Sequence, residues 1–237
     1  MNNSDVIGLA ISYTYAISLL LIAEGLGHFF KIPAQMTRKF IHISAGMWSF
    51  GILFLFRNWQ FGILPFATFI LVNFFLYRYR IVKSMDTEDS SPGTIYFAFS
   101  ITLLFALLWR PLESTDKVAI AMCGVMAMTW GDAFAALIGK GFGKYKYQVW
   151  VSTRTWEGSI VMFLVSTLAI FLVLFLLPGS LFSPFALPYS WHQVLLGALV
   201  GGVVTTLAEA VSPHGTDNLT VPLFGSGVLW CLMNFYR

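Results

Sequence analysis

Charge is scarce in this chain. Only 11% of its 237 residues are Asp, Glu, Lys or Arg, and 57% are hydrophobic; a soluble domain carries about 25% charged residues. That balance excludes a large soluble core and points to an integral membrane protein. Cysteine is scarcer still. Cys123 and Cys231 are the only two, and both fall inside apolar runs, so neither a disulfide framework nor a zinc site is present. The net charge of +3 is too small to suggest a nucleic-acid partner. Asp5, and no Lys or Arg, precedes the first apolar run. The basic flank of a secretory signal is therefore missing, as is a Ser- and Arg-rich transit segment. The expectation is a prokaryotic or already mature chain in a cell membrane. No internal repeat, heptad or low-complexity tract is evident.

What is abundant is apolar length. Eight segments stand out, roughly 6–30, 40–56, 59–77, 94–109, 118–139, 157–177, 192–211 and 219–236. Most approach the ~20 residues that cross a bilayer as a helix. Segments 40–56 and 94–109 are short, and the last contains Pro222 and Gly225, which predict a bend or partial insertion. The fold expected is all-α, a polytopic membrane protein with seven to eight transmembrane helices in one domain, 1–237. Lys31, Arg38, Lys39, Arg78, Arg80, Lys83, Lys140, Lys144, Lys146 and Arg154 all lie on odd-numbered loops. The positive-inside rule places those loops in the cytoplasm and both termini away from it. The loop at 83–93 mixes charge, Ser, Pro and Gly and reads as solvated surface.

The unusual polar residues then gather on one side. Arg38, Lys39 and His42 open the second helix. Asp132 lies late in the fifth, and an ionisable group within a membrane helix is a functional candidate, with a structural ion pair as the alternative. Asp132, Ala136, Gly139 and Gly143 recur at helical spacing and leave a nearly bare stripe, where a nucleotide or another backbone can approach closely. The segment Gly139-Lys-Gly-Phe-Gly-Lys144 is neither a P-loop nor a dinucleotide fingerprint. Its exposed glycine N–H groups suit phosphate oxygens, and its lysines equally suit a cytoplasmic loop. Carboxylate, glycines and basic cluster together are what a magnesium-bound nucleoside triphosphate requires. Glu157 opens the sixth helix, where an acid suits the dipole, and Arg154 beside it can clamp a phosphate. From Gly158 to Ala208 no Asp, Glu, Lys or Arg occurs, and then Glu209 appears. It needs Lys140, Arg154 or a metal as partner. His214, Asp217 and Asn218 follow it. His42 is either a satisfied helix histidine or part of the site.

Four stretches carry a resemblance: RKFIHISAG (38–46), GDAFAALIGKGFGK (131–144), TRTWEG (153–158) and EAVSPHGTDNLTVPL (209–223). Together, and in this order, they resemble the CTP-dependent polyprenol kinases, the phytol kinases most of all. Dolichol kinases are more distant, and CDP-diacylglycerol synthases more distant again. Asp132, Ala135, Gly139 and Gly143 look like the family's CTP-binding segment, and Thr155, Glu157 and Gly158 match its closing motif. Where dolichol kinases tend to have two basic residues before that threonine, this chain has Thr153 and Arg154. The resemblance implies transfer of the γ-phosphoryl group of CTP to the terminal hydroxyl of an isoprenoid alcohol drawn from the bilayer: phytol, geranylgeraniol or a related polyprenol. It implies Asp132, Glu209 and Asp217 as ligands of Mg2+ or, for one of them, the base. It implies Arg38, Lys39, Lys140, Lys144 and Arg154 around the triphosphate, and a prenyl groove among aromatic-rich helices. Two other readings stand beside it: a CTP-dependent cytidylyltransferase acting on phosphatidate, and a membrane transporter.

Overall fold

The computed structural model describes residues 3–79, 92–150, 152–213 and 215–235. Arg80, Lys83, most of the 83–93 loop, His214 and Arg237 lie outside them. The eight apolar segments form eight helical rods. These are α1 (Asn3–Phe29), α2 (Ala34–Leu55), α3 and α4 (Trp59–Gly62 and Leu64–Tyr79) as one rod, and α5 (Gly93–Leu108). Next comes a composite rod of α6 (Val118–Met126), a π-helical segment (Ala127–Asp132) and α7 (Ala133–Phe142). The last three are α8 (Trp156–Leu176), α9 (Trp191–Val211) and α10 (Asp217–Phe235). Six of the rods are long and apolar enough to cross a membrane. The remaining two are α5, with 16 residues, and α2. At 22 residues α2 is longer than its apolar run, because the helix begins early and takes Arg38 and Lys39 into its first turns.

The composite rod is the axis of the bundle. Its most apolar stretch is 89% buried inside the protein, against 17–44% for the other five candidate spans. The outer helices turn their large apolar residues outward instead. On α8, Ile160, Leu164, Leu168 and Leu172 are exposed, while Met162, Ser166 and Ile170 point inward. Bilayer lipid is as apolar as leucine, so close packing of small groups replaces hydrophobic sorting as the force between such helices. The α6–α10 crossing illustrates this. A Cβ at Gly124 would lie 3.0 Å from Pro222 Cα, so only glycine admits that approach.

α10 continues as a helix through Pro222. Proline removes the N–H that would bond the carbonyl of residue 218. Ser100 of α5 donates its hydroxyl to that Asn218 oxygen at 2.9 Å, so the freed carbonyl is satisfied by a neighbouring helix. The fifth loop holds a short two-stranded sheet. Strands β1 (Lys146–Val149) and β2 (Ser152–Thr155) pair antiparallel as a hairpin. It brings Arg154 back under the helix ends.

Candidate nucleotide and metal site

Four segments end at the same level and each contributes a charge. Lys39 stands on the second turn of α2, Asp132 at the close of the π segment, Glu209 in the last turn of α9 and Asp217 at the start of α10. The three acids are buried, at 6%, 4% and 8% exposure respectively for Asp132, Glu209 and Asp217. One carboxylate oxygen from each lies within 4.8 Å of the others. Three acids so close require cations, and two are in contact with them among the described residues. Lys39 Nζ is 2.6 Å from Asp132 Oδ2. Arg154 Nη1 is 2.9 Å from Glu209 Oε1, and its Nη2 is 3.3 Å from Asp217 Oδ2. Nη2 also donates to the main-chain oxygens of Glu209 and Ser212, which end α9. Burial works against the charge of Arg154, but Glu209, Asp217 and Asp132 outweigh it and lift its pKa above the ordinary value. Its Nε has no acceptor among the described residues.

His42 donates Nε2–H to the Met128 carbonyl at 3.1 Å, which fixes the tautomer, and the same nitrogen is 3.9 Å from Asp132 Oδ2. Asn218 gives its amide N–H groups to Gly215 O and Asp217 Oδ1 and so helps hold that carboxylate. Its own Oδ1 is buried without a donor among the described residues.

The bare stripe below Asp132 is filled by backbone. A Cβ on Gly139 would meet Thr155 Oγ1 at 2.9 Å, and one on Gly158 would lie 3.1 Å from Ala135 O and 3.5 Å from Gly139 Cα. Thr155 caps α8 by accepting from Gly158 N–H at 3.2 Å. Gly139, Gly143, Thr155 and Gly158 therefore seat the start of α8 and the hairpin against α7. Glu157 accepts from the main-chain N–H groups of Lys144 and Tyr145 and ties the loop to α8. Lys140 bonds Gln35 Oε1 at 3.0 Å, and Lys144 is exposed.

A cavity of about 490 Å³ opens beside the cluster. Arg38, Lys39, His42, Asp132, Lys140, Arg154, Asp217 and Asn218 line its charged end. Away from those charges the wall is Tyr15, Leu19, Trp48, Phe66 and Phe69 from α1, α2 and α4, and Phe97 of α5 joins the two parts with its ring 4.9 Å from that of His42. The expected groove among aromatic-rich helices named no residues, because residues facing a cavity and residues facing lipid have the same composition. Glu209 lies behind Arg154 and does not line the cavity.

Hard oxygen donors in this number suit Mg2+, which takes one or two carboxylates plus phosphate oxygens and water. Asp132 and Asp217, at the cavity wall, are the donors a bound triphosphate would share with the ion, with Glu209 behind them.

No protein-family profile and no solved structure matches the chain. Curated relatives do. The chain is 33% identical to a phytol kinase of Synechocystis sp., over 94% of this chain and 91% of the relative. It is 28% identical to a probable chloroplastic phytol kinase of Oryza sativa, over 92% and 73% of the two chains. It is 26% identical to a CTP-dependent diacylglycerol kinase of Schizosaccharomyces pombe, over 48% of this chain and 51% of that one. Similarity of the first kind, sustained from end to end, makes this chain a member of the phytol kinase family.

Proposed function

We propose that the protein transfers the γ-phosphoryl group of CTP to the terminal hydroxyl of an isoprenoid alcohol of the phytol class, at the cytoplasmic face of a membrane. The observation that carries this reading is the two-ended cavity, charged where the acids meet and aromatic where it runs between helices. A nucleotide triphosphate suits the first end and a prenyl chain the second. The names of the relatives, phytol kinase and CTP-dependent diacylglycerol kinase, support the acceptor and the donor.

In the reaction the alcohol oxygen forms a bond to the γ-phosphorus. The bond from that phosphorus to the β–γ bridging oxygen breaks, CDP departs, and the hydroxyl proton passes to one of the three carboxylates. Such a transfer demands positioning and charge neutralisation more than covalent help. Arg38, Lys39, Lys140 and Arg154 supply positive charge around the phosphates. Lys39 and Arg154 are engaged with the acids. Asp132, Asp217 and Glu209 would hold a metal ion carried by the triphosphate, and Lys39 and Arg154 would then face phosphate oxygens. Magnesium, when bound, neutralises charge on the phosphate oxygens.

The test is incubation of the purified protein with γ-labelled CTP, magnesium and a panel of phytol, geranylgeraniol, farnesol, diacylglycerol and phosphatidate. Label on an isoprenoid alcohol is the expected result. Release of labelled pyrophosphate with phosphatidate would establish a cytidylyltransferase instead.

A further inference from the structure

Between Gly139 and Gly158 stand four cations, Lys140, Lys144, Lys146 and Arg154, against one acid, Glu157. Lys140 and Arg154 line the cavity, whereas Lys144 and Lys146 are exposed and do not. No carboxylate lies within ion-pair distance of either lysine among the described residues. The surface they flank belongs to α8. Trp156 N–H donates to Tyr145 O at 3.0 Å, the Tyr147 ring lies 5.2 Å from the Trp156 ring, and the Tyr147 hydroxyl bonds Ser159 Oγ. Trp156, Ile160, Leu164, Leu168 and Leu172 recur every four residues and are all exposed, which makes them one stripe toward lipid. The 21 residues of α8 rise about 30 Å, the thickness of the hydrocarbon core. Trp156, its first residue, therefore stands at the edge of that core, at the headgroup level where Trp and Tyr collect. Tyr145 beside it is 71% exposed.

We infer that Lys144, Tyr145, Lys146 and Trp156 form a binding surface for anionic phospholipid at the foot of α8. The two ammonium groups meet the negative headgroup, the aromatic rings take the boundary between headgroup and hydrocarbon, and the acyl chains run along Ile160 and Leu164. A zwitterionic lipid brings its own cation to the phosphate and gains less from the lysines. The surface is joined to the acid cluster through the hairpin. Lys146 pairs with Thr155 and Tyr147 with Arg154 across the two strands, so lipid held on β1 steadies the strand that carries Arg154 to Glu209 and Asp217. The inference stands apart from the kinase reading, because it concerns a face outside the cavity.

The experiment releases the protein from nanodiscs of phosphatidylcholine and phosphatidylglycerol in equal amounts and counts retained lipid by native mass spectrometry. Wild type should retain phosphatidylglycerol in excess. Lys144→Gln with Lys146→Gln should cut that excess by at least about fivefold, the attraction of one basic residue to an anionic surface. Lys31→Gln, an exposed lysine of the α1–α2 loop, should keep it. Phosphatidylglycerol should also raise the unfolding temperature of wild type more than that of the double variant. Either single variant carries the test if the pair does not fold. Equal retention of the two lipids by wild type would overturn the inference, as would an excess unchanged in the folded double variant. A raised KM for CTP with lipid retention unaltered would overturn it too and return the lysines to the triphosphate. Retention is read without nucleotide or alcohol, so its failure is distinct from failure of the kinase reading.

Discussion

Arg154 holds two of the three buried acids, so its removal is the sharpest perturbation the site offers. Asp132, Glu209 and Asp217 lie within 4.8 Å of one another, and Arg154→Ala would leave them Lys39, on Asp132, as the one cation in contact among the described residues. Stranding a buried charge by deleting its partner costs about 3–5 kcal/mol. The Arg154 side chain is 24% exposed, and solvent screening puts the loss toward the lower end, about 3 kcal/mol. The same variant strips the cation from the last carbonyls of α9, worth another ~0.3–1 kcal/mol. Arg154→Lys should recover part of this, because a single ammonium cannot reproduce the fork to two carboxylates. The assay is thermal unfolding in detergent with and without magnesium. An ion that binds the folded cluster stabilises it by about 2.7 kcal/mol at 100 times its Kd. The variant, carrying more uncompensated negative charge, should be rescued more than wild type. If Arg154→Ala unfolds at the wild-type temperature and ignores magnesium, the acids are not a mutually repelling cluster and the metal assignment fails with them.

Asp132→Asn should lower lipid-phosphate formation by about a hundredfold or more, the scale of a lost metal ligand or base. Glu113→Gln, in the loop between α5 and α6 far along the chain from the cluster, should change neither activity nor stability. Full activity in a folded Asp132→Asn protein would remove the carboxylate from the chemistry. Lys39→Ala and Arg38→Ala should raise the KM for CTP, lower kcat, or both, and Lys39→Ala should also destabilise the fold by freeing Asp132. Wild-type kinetics in both variants would reduce the pair to a topology signal. Cysteines placed at Lys144 and at Glu113 should react with impermeant reagent from opposite sides of the membrane, the first from the cytoplasm. Labelling of both from one side would contradict the orientation.

Hydropathy located all eight rods, because the length of an apolar run is a local property that the bilayer converts directly into a helix. The polar landmarks were equally legible for the opposite reason: Glu209 ends fifty-one uncharged residues, and an acid there had to find a partner, which is Arg154. Other features left no local trace. The hairpin strands are four residues each, too short for alternation to register beside glycines and lysines. Lys39 was assigned to phosphate, and its contact with Asp132, across 93 positions of chain, has no counterpart in either helix read alone. The bonds by which Thr155 caps α8 and Glu157 secures its loop likewise depend on where the hairpin folds back, which the motif alone does not show. The π segment was invisible because Ala-Met-Thr-Trp-Gly-Asp is as compatible with an ordinary helix.

That segment makes the axial rod a device with a fixed phase. Each residue of an α-helix turns the chain by about 100°, and a π segment accommodates a residue that an α-helix of the same rise would not. Deleting one residue from α6 would rotate everything downstream by about 100°, swinging Asp132 off Lys39 and the Gly139 surface off Gly158. Within the wide turn that precedes Asp132 the extra residue is already carried, so removing one there would tighten the turn to α-helix and leave the downstream phase nearly unchanged. Length should therefore be more tightly constrained in α6 than in the wide turn that follows it.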